Sequence, residues 1–195
     1  MLEAMLDAHS EPPPDDLPDN IRGLLGAEFE RLVELGVFHD VRVELLEGQL
    51  VEMSPQGAAH ATITSVLADL LHRGLPETMI IRQHSSLRAS DRSMPEPDIA
   101  VIPRVRGFHH PSEAFLIVEV SDSSLRNDRE IKSRIYARAN ILEYWIIDVK
   151  HEQVEVRTEP GRKGYASTRV LGRGELLRPN ALPELSLAVD AIFDC

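Results

Sequence analysis

Two apolar runs, FLIVEV at 115–120 and YWIIDV at 144–149, mark the most informative part of the sequence. Each is apolar on both faces, which is the pattern of a central strand buried on both sides of a sheet. Between them, residues 128–140 have apolar side chains at helical spacing. The order strand, helix, strand predicts a crossover in an α/β sheet. Glu119 and Lys132 are charged at positions that this pattern buries, so each needs a partner.

Residues 128–140 predict a helix whose inward face includes a lysine. At about 100° per residue, counted from Asp128, one arc of about 140° faces the core. The inward arc holds Ile131, Lys132, Ile135, Tyr136 and Ala139. The outward arc holds Arg129, Glu130, Ser133, Arg134, Ala137 and Arg138. Lys132 is therefore either a side chain that reaches along the edge of the core to water, or a cation that meets a buried carboxylate.

A second carboxylate favours the paired lysine. The segment DIAVI at 98–102 predicts a short strand that follows two prolines. If this strand pairs antiparallel with the run at 115–120, Asp98 lies opposite Glu119 with Cβ atoms about 5 Å apart. The same register places Ile102 opposite Phe115 and Ala100 opposite Ile117. Two carboxylates at that distance repel unless a cation joins them, and a hard divalent ion such as Mg²⁺ or Mn²⁺ suits oxygen ligands.

The remaining sequence predicts one domain over residues 21–195, after an acidic, proline-rich tail of residues 1–20. Apolar spacing and turn residues indicate its further elements. These are helices at 21–37 and 60–75, a hairpin at 41–53 that turns at Glu47-Gly48, a strand at 79–84, a hairpin of 153–158 with 164–170, and a strand with a helical turn at 181–194.

Composition limits the classes of function. Of the 195 residues, 43% are hydrophobic and 27% are charged, as in ordinary globular domains. No apolar run approaches the roughly 18 residues of a membrane span and no signal peptide is visible, so a cytoplasmic protein without a membrane partner is expected. The single cysteine, Cys195, excludes a disulfide framework and a thiolate zinc site. The sequence contains no phosphate-binding glycine loop, nucleophile elbow or zinc-binding histidine spacing.

The net charge of −11 opposes binding to a polyanion such as DNA. The acids are unevenly distributed, however, because residues 1–52 hold 13 acids and 3 bases, whereas the remaining residues hold 19 acids and 18 bases. Six arginines near the proposed carboxylates could bind phosphate, or could belong to solvated faces. They are Arg104, Arg106, Arg126, Arg129, Arg134 and Arg138.

The segments that carry these residues resemble a known family. PEPDIAVI, LIVEVSDSS and DREIKSRIYARANILEYWIID are similar, in order and spacing, to the Uma-two family of the PD-(D/E)XK, or restriction-endonuclease-like, superfamily. The resemblance extends to VELLEGQLVEMSPQGAAHATI and IRQHSSL, and covers roughly residues 40–150. It implies an α/β (α+β) fold with a mixed central β-sheet flanked by helices. It also implies an endonuclease, that is, a metal-dependent phosphodiester hydrolase, without fixing the substrate.

The resemblance implies roles for single residues. Asp98 and Glu119 match the two acids that bind the metal ion, and Lys132 matches the catalytic lysine, which this family takes from the helix. The lysine position of the wider superfamily, two places after the second acid, holds Ser121. Glu44 matches an acid that accompanies the metal in this family, and otherwise would be an exposed strand acid. His60 matches a family histidine that could bind a phosphate oxygen or water, and otherwise would cap the helix. Accessory matches are Gln83, Asp128 and Tyr136.

The preferred hypothesis is a Mg²⁺-dependent endonuclease for DNA. A homodimer fits this hypothesis, because many nucleases of this fold act as dimers. One alternative is a nuclease fold kept as a binding or regulatory module without cleavage, which the acidic charge favours. The other is a metal-dependent hydrolase of a small phosphate ester.

Removing residues 1–20 tests whether the acidic tail is what opposes DNA binding. The deletion takes away six acids and no lysine or arginine, so the net charge changes from −11 to −5. Because phosphate binding depends on charge and is screened by salt, we expect the truncated chain to bind a DNA duplex more tightly than the full chain at low salt. Fluorescence anisotropy measures both affinities, and an unchanged or weaker affinity contradicts the prediction.

Overall fold

The computed structural model describes residues 22–104 and 107–194. Its helices are α1 (Gly26–Glu34), α2 (Ala58–His72), α3 (Leu125–Asn127), α4 (Ser133–Arg138) and α5 (Asp190–Phe193), with a π-helical turn, Asp128–Lys132, between α3 and α4. Its strands are β1 (Val43–Leu46), β2 (Gln49–Glu52), β3 (Met79–Gln83), β4 (Ile99–Pro103), β5 (Leu116–Ser121), β6 (Glu143–Asp148), β7 (Gln153–Gly161), β8 (Gly164–Leu171), β9 (Leu176–Leu177) and β10 (Leu187–Ala188). The predicted tail at 1–20, Arg106 and Cys195 lie outside the described residues. Within the described ranges, no helix has the length and apolar character needed to cross a membrane.

A six-stranded mixed sheet, in the order β3-β4-β5-β6-β7-β8, is the centre of the fold. β5 and β6 are parallel, and every other neighbouring pair is antiparallel. The parallel pair is joined through α3, the π-helical turn and α4, which confirms the predicted crossover. The predicted register between β4 and β5 is also confirmed, because Ala100 lies opposite Ile117. This register brings Asp98, just before β4, beside the part of β5 that contains Glu119.

Helices cover both faces of the sheet, which explains why its central strands are apolar throughout. On one face, α2 and α5 share a core cluster with Val118 and Trp145. On the other face, Tyr136 of α4 packs in a second cluster with Ile117. Because side chains alternate along β5, Glu119 lies on the same face as Ile117, beneath α4.

β1 and β2 form a separate hairpin that carries Glu44 to the main sheet. Its turn is the predicted Glu47-Gly48, and both residues have positive φ, 50° and 88°, as a two-residue hairpin turn requires. The hairpin is attached by backbone hydrogen bonds, including one of 2.7 Å from the Met94 N–H to the Leu45 carbonyl. Glu44 is therefore buried, at 5% exposure, although its own sheet has only two strands.

Two predictions about helices need correction. The predicted helix at 21–37 is shorter, because only α1 forms there. The predicted helix at 128–140 is interrupted by the π-helical turn before α4 begins. Ser133 and Ala137, which we expected on the outer face, are buried. The β7–β8 hairpin covers that side of α4, and Arg157 Nη1 donates to Ser133 Oγ at 2.8 Å.

Gly48→Ala should destabilise the protein more than Gly36→Ala does. Both glycines have positive φ, 88° and 73°, so alanine is strained at each position. A Cβ at Gly48 would also lie 2.8 Å from Arg92 Nη2 and 3.2 Å from Gly23 Cα, whereas among the described atoms nothing lies within 4 Å of a Cβ at Gly36. We expect Gly36→Ala to cost about 1 kcal/mol and Gly48→Ala about 2 to 3 kcal/mol of unfolding free energy, measured by urea unfolding. Equal costs would show that the close approach has no effect.

Candidate active site

A polar cleft of about 200 Å³ lies where the β1–β2 hairpin, the start of α2 and the strands β4 and β5 meet. The loop at 53–57 forms one wall, and residues 122–124 form the other together with the π-helical turn. The cleft is lined by six of the eight predicted site residues, namely Glu44, His60, Asp98, Glu119, Asp128 and Lys132. A larger groove of about 920 Å³ beside α1 is lined by none of the eight.

Lys132 is buried between two carboxylates. Its Nζ lies 3.1 Å from Glu119 Oε1 and 3.2 Å from Glu44 Oε2, and the residue is only 6% exposed. Tyr136, one turn further along the chain, donates its hydroxyl hydrogen to the same Glu119 oxygen at 2.6 Å. Glu44 is held in turn by the backbone N–H of Glu96, which donates to its Oε2 at 3.1 Å. The structure therefore supports the second alternative for Lys132: its ammonium meets buried carboxylates and does not reach along the edge of the core to water.

Asp98 is held by a backbone amide and two histidines. Its Oδ2 accepts the Val120 N–H at 2.8 Å and lies 3.1 Å from His60 Nε2, while its Oδ1 lies 3.4 Å from His84 Nδ1. Burial alone would raise the pKa of Asp98, but the hydrogen bonds with His60 and His84 hold that pKa below its usual value. The bond to Val120 attaches the start of β4 to β5 directly after Glu119. His60 thus contacts an acid of the cleft and does not serve as the cap of α2.

Asp128 fixes the loop that follows β5. Its Oδ2 accepts hydrogen bonds from Ser121 Oγ at 2.6 Å and from Ser124 Oγ at 2.5 Å. Ser121, which stands at the superfamily's usual lysine position, is too short to replace an ammonium and binds this carboxylate. The predicted helix at 128–140 would start at Asp128, but the helical segment already begins with α3.

His84 and Gln56 join the cluster although the sequence did not single them out. His84 has a φ of 46°, and this left-handed conformation directly after β3 accompanies the approach of its ring to Asp98. Gln56 Nε2 lies 3.0 Å from His84 Nδ1. Both residues stand in segments that carry the family resemblance, which was the available signal. Gln83 is exposed at the end of β3 and, within the described residues, makes no hydrogen bond to the cluster.

Burial and mutual repulsion set the protonation of the cluster. Burial raises the pKa of Glu119 well above its usual value, and the charges of Asp98, Asp128 and Glu44 raise it further, although Lys132 opposes them. Burial alone would lower the pKa of Lys132, but the carboxylates of Glu119 and Glu44 raise it above its usual value. Lys132 is therefore charged at neutral pH, and Glu119 takes up a proton more readily than a free glutamate does.

The cluster has the composition of a site for a hard cation. Glu44, Asp98, Glu119 and Asp128 bring carboxylates to one cleft, and Lys132 brings one positive charge. Among the described residues, no group of three or more His, Cys, Asp or Glu side chains is spaced to enclose a metal ion. Mg²⁺ does not need such a cage, because it keeps several waters and is commonly held by one or two carboxylates together with substrate phosphates. The pair Asp98 and Glu119 fits that mode of binding.

The arginines that could contact phosphate are bonded within the protein. Arg104 donates to the carbonyls of Glu77 and Met79, Arg126 pairs with Glu130, Arg129 pairs with Asp148 and Glu155, and Arg134 and Arg138 pair with Glu47. Each of the five described arginines therefore has a partner within the protein, and Arg134 and Arg138 share Glu47. Arg126, with its side chain 87% exposed, is the most accessible of the four in ion pairs.

Comparisons with known proteins agree with this fold. The family model Uma2, described as "Putative restriction endonuclease", matches residues 27–190. Among solved structures, the chain is similar to a protein from Anabaena variabilis ATCC 29413 described as "a putative nuclease belonging to DUF820". The TM-score is 0.64 and the sequence identity 15%, over 80% of this chain and 91% of that chain, so the likeness shows a shared fold. A comparison with curated proteins gives no match.

Glu119→Gln should change how stability depends on pH. A carboxyl group whose pKa is raised by folding stabilises the fold below its unfolded-state pKa, and this contribution is lost as the pH rises through the folded-state pKa. Glutamine is neutral at every pH, so the variant does not lose stability in this way as the pH rises. Between about pH 5 and pH 8, we therefore expect the variant to gain free energy of unfolding relative to the parent, as measured by urea unfolding without metal.

Glu113→Gln, a change at an exposed glutamate before β5 that does not line the cleft, is the matched control. A difference between Glu119→Gln and the parent that stays constant over the same pH range would mean that Lys132 keeps Glu119 ionised throughout.

Proposed function

We propose that this chain, which belongs to the Uma2 family, is a divalent-metal-dependent endonuclease that hydrolyses phosphodiester bonds of DNA. The observation that carries the proposal is the contact of Lys132 Nζ with Glu119 Oε1, at 3.1 Å, inside a cleft that Asp98 also lines. A buried ion pair is often less stable than apolar side chains of the same volume, so its presence in a cleft favours a chemical role. The family's description as a restriction endonuclease supports a nuclease.

Asp98 and Glu119 would hold Mg²⁺ or Mn²⁺. A divalent ion bound there supplies polarisation of a phosphate oxygen and a lower pKa of the attacking water. The chain prepares both ligands for this task. His60 and a backbone amide fix Asp98. Tyr136 and Lys132 both contact Oε1 of Glu119. Among the described residues no hydrogen bond reaches the second oxygen of that carboxylate, which would remain for the cation.

Lys132 acts as a cation in this proposal. Because the surrounding carboxylates raise its pKa, it keeps its proton at neutral pH. It therefore donates a hydrogen bond to the attacking water or to a phosphate oxygen, and it stabilises the negative charge of the transition state. Glu44 holds the ammonium from the second side, at 3.2 Å, and would keep it in the cleft when Glu119 serves as a metal ligand.

The phosphate backbone needs donors other than the arginines around the cleft. α2 begins at the cleft, where Gly57 and His60 form part of the lining, and its first turn contains no acidic residue. Backbone N–H groups at the start of a helix bind phosphate oxygens. Ser123 and Asn127 on the opposite wall add side-chain donors. In this proposal, these groups bind the phosphates of the DNA strand that is cut.

A nuclease fold kept as a binding or regulatory module without cleavage is the second candidate. The paired arginines and the net charge of −11 favour it, because both limit the affinity for phosphate that a nuclease needs. Cleavage of plasmid DNA, compared with cleavage of a chromogenic phosphodiester, separates a nuclease from a hydrolase of small phosphate esters.

The homodimer belongs to the same proposal, and sedimentation velocity tests it.

Lys132→Ala should lower Mg²⁺-dependent cleavage of plasmid DNA about 100-fold or more, because a donor to the transition state is lost. Metal should bind as tightly as in the parent or slightly more tightly, since the ammonium repels the ion. Lys132→Arg should not restore cleavage, because a guanidinium fork does not fit the place of an ammonium. Asp98→Ala should lose both metal binding and cleavage. Gel assays measure cleavage, and calorimetric titration with Mg²⁺ or Mn²⁺ measures binding.

Lys150→Ala, a change at an exposed lysine after β6, is the matched control and should cleave like the parent. Circular dichroism and urea unfolding check that each variant is folded. Parental cleavage by Lys132→Ala would remove Lys132 from the mechanism. A parent that binds metal and DNA but leaves both substrates intact would favour the binding module.

A further inference from the structure

The segment that carries Lys132 contains an unusual turn. The N–H of Ser133 donates to the carbonyl of Asp128, five residues back, whereas the N–H of Asp128 donates to Ser124, four residues back. Such π-helical turns are rare and contain one residue more than an α-helical turn. One additional residue rotates the side chains that follow by about 100° relative to those that precede it. The turn therefore sets the direction of Lys132 relative to α3.

Two side chains from neighbouring strands hold backbone carbonyls of this turn. Tyr144 on β6 donates its hydroxyl hydrogen to the Asp128 carbonyl at 3.1 Å. Arg157 on β7 donates from Nη1 to the Arg129 carbonyl at 2.8 Å. Tyr144 is fully buried, and the Arg157 side chain is 15% exposed. A change from four- to five-residue spacing disturbs the regular pairing of carbonyls. Arg157 provides a donor for the Arg129 carbonyl, and Tyr144 adds a second hydrogen bond to the Asp128 carbonyl, which also accepts the Ser133 N–H.

Arg157 also connects the turn to the sheet through charge. Its guanidinium donates to Ser133 Oγ and to Glu155 Oε2, each at 2.8 Å. Arg129 pairs with the other oxygen of the same glutamate and with Asp148 at 3.3 Å. Glu155 and Asp148 are 5% and 1% exposed, so these pairs are shielded from water. The outer side of the turn is thus attached to β6 and β7, while its inner side lines the cleft.

We propose that Tyr144 and Arg157 are positioning residues that act through the π-helical turn. Their hydrogen bonds hold the five-residue spacing that places Lys132 Nζ between its two carboxylates. The inference rests on the function proposed above for Lys132. Neither side chain lines the cleft, so neither contacts the reacting phosphate. If the turn relaxed to α-helical spacing, the side chain of Lys132 would rotate by about 100° relative to that of Asp128. One of the two residues would then lose its present contacts.

Tyr144→Phe removes the hydroxyl group with little change of shape, and Tyr165→Phe is its matched control. Tyr165 stacks on Tyr144 with ring centroids 6.0 Å apart, and it donates its hydroxyl hydrogen to the Ile141 carbonyl at 2.9 Å. Each change removes one hydrogen bond to a backbone carbonyl, but only Tyr144 contacts the turn. We expect Tyr144→Phe to lower kcat about 10- to 100-fold, with KM and Mg²⁺ affinity near the parental values. Tyr165→Phe should cleave like the parent.

A second measurement does not depend on cleavage. The chain has only three lysines, so the side-chain ammonium signals of ¹⁵N-labelled lysine can be assigned by single substitutions. The signal of Lys132 should shift or broaden in Tyr144→Phe and in Arg157→Lys, and should stay unchanged in Tyr165→Phe. In Arg157→Lys a single ammonium replaces a fork that spans the Arg129 carbonyl, Ser133 and Glu155.

The two measurements separate this inference from the proposed function. If the Lys132 signal changes only in the two turn variants while the parent does not cleave DNA, the positioning role stands and the proposed function fails. If the parent cleaves, Lys132→Ala does not, and Tyr144→Phe keeps both the parental kcat and the parental signal, the positioning role is overturned. Equal losses in Tyr144→Phe and Tyr165→Phe also overturn it, because packing of the aromatic layer then explains both.

Discussion

The ammonium of Lys132, held between Glu119 and Glu44, is the interaction on which the cleft depends. A glutamate buried as deeply as Glu119 favours its neutral form unless a cation is near, and Lys132 is the cation that the chain supplies. Three separate parts of the fold meet at this ammonium: the β1–β2 hairpin, the central strand β5 and the helical segment after it. Displacing any one of them would leave a buried charge without its partner, which is far costlier than the pair itself.

The topology of the sheet explains how these parts meet. The antiparallel pairing of β4 with β5 brings Asp98 beside Val120 and hence next to Glu119. The parallel pairing of β5 with β6 requires a crossover, and the crossover carries α4 over the same face. The π-helical turn then adjusts the direction of Lys132 on that crossover. Sheet register therefore sets the positions of the acids, and helix geometry sets the position of the lysine.

The arginines have a structural role in this fold. Arg129 and Arg157 compensate the buried Glu155 and Asp148, and Arg138 attaches the tip of the hairpin through Glu47. Since these guanidinium groups are already bonded, a nucleic acid bound as proposed above would be held mainly by the cleft itself. The salt dependence of binding grows with the number of phosphates neutralised, so an enzyme of this kind would show a shallow dependence. Such a protein would rely on few contacts close to the reacting bond.

The sequence by itself predicted the β4–β5 register, on the condition that the two strands are antiparallel, and it placed Lys132 on the inward side of its helical segment. Both predictions rest on local periods, two residues in a strand and 3.6 in a helix. The family resemblance added Glu44 and His60, which are found in the cleft, and Gln83, which is not. Tertiary structure decided the π-helical turn, the burial of Ser133 and the approach of His84 to Asp98. Each of these depends on partners distant in the chain, such as Tyr144, Arg157 and Asp98, and a periodic pattern holds no information about contacts that only folding creates.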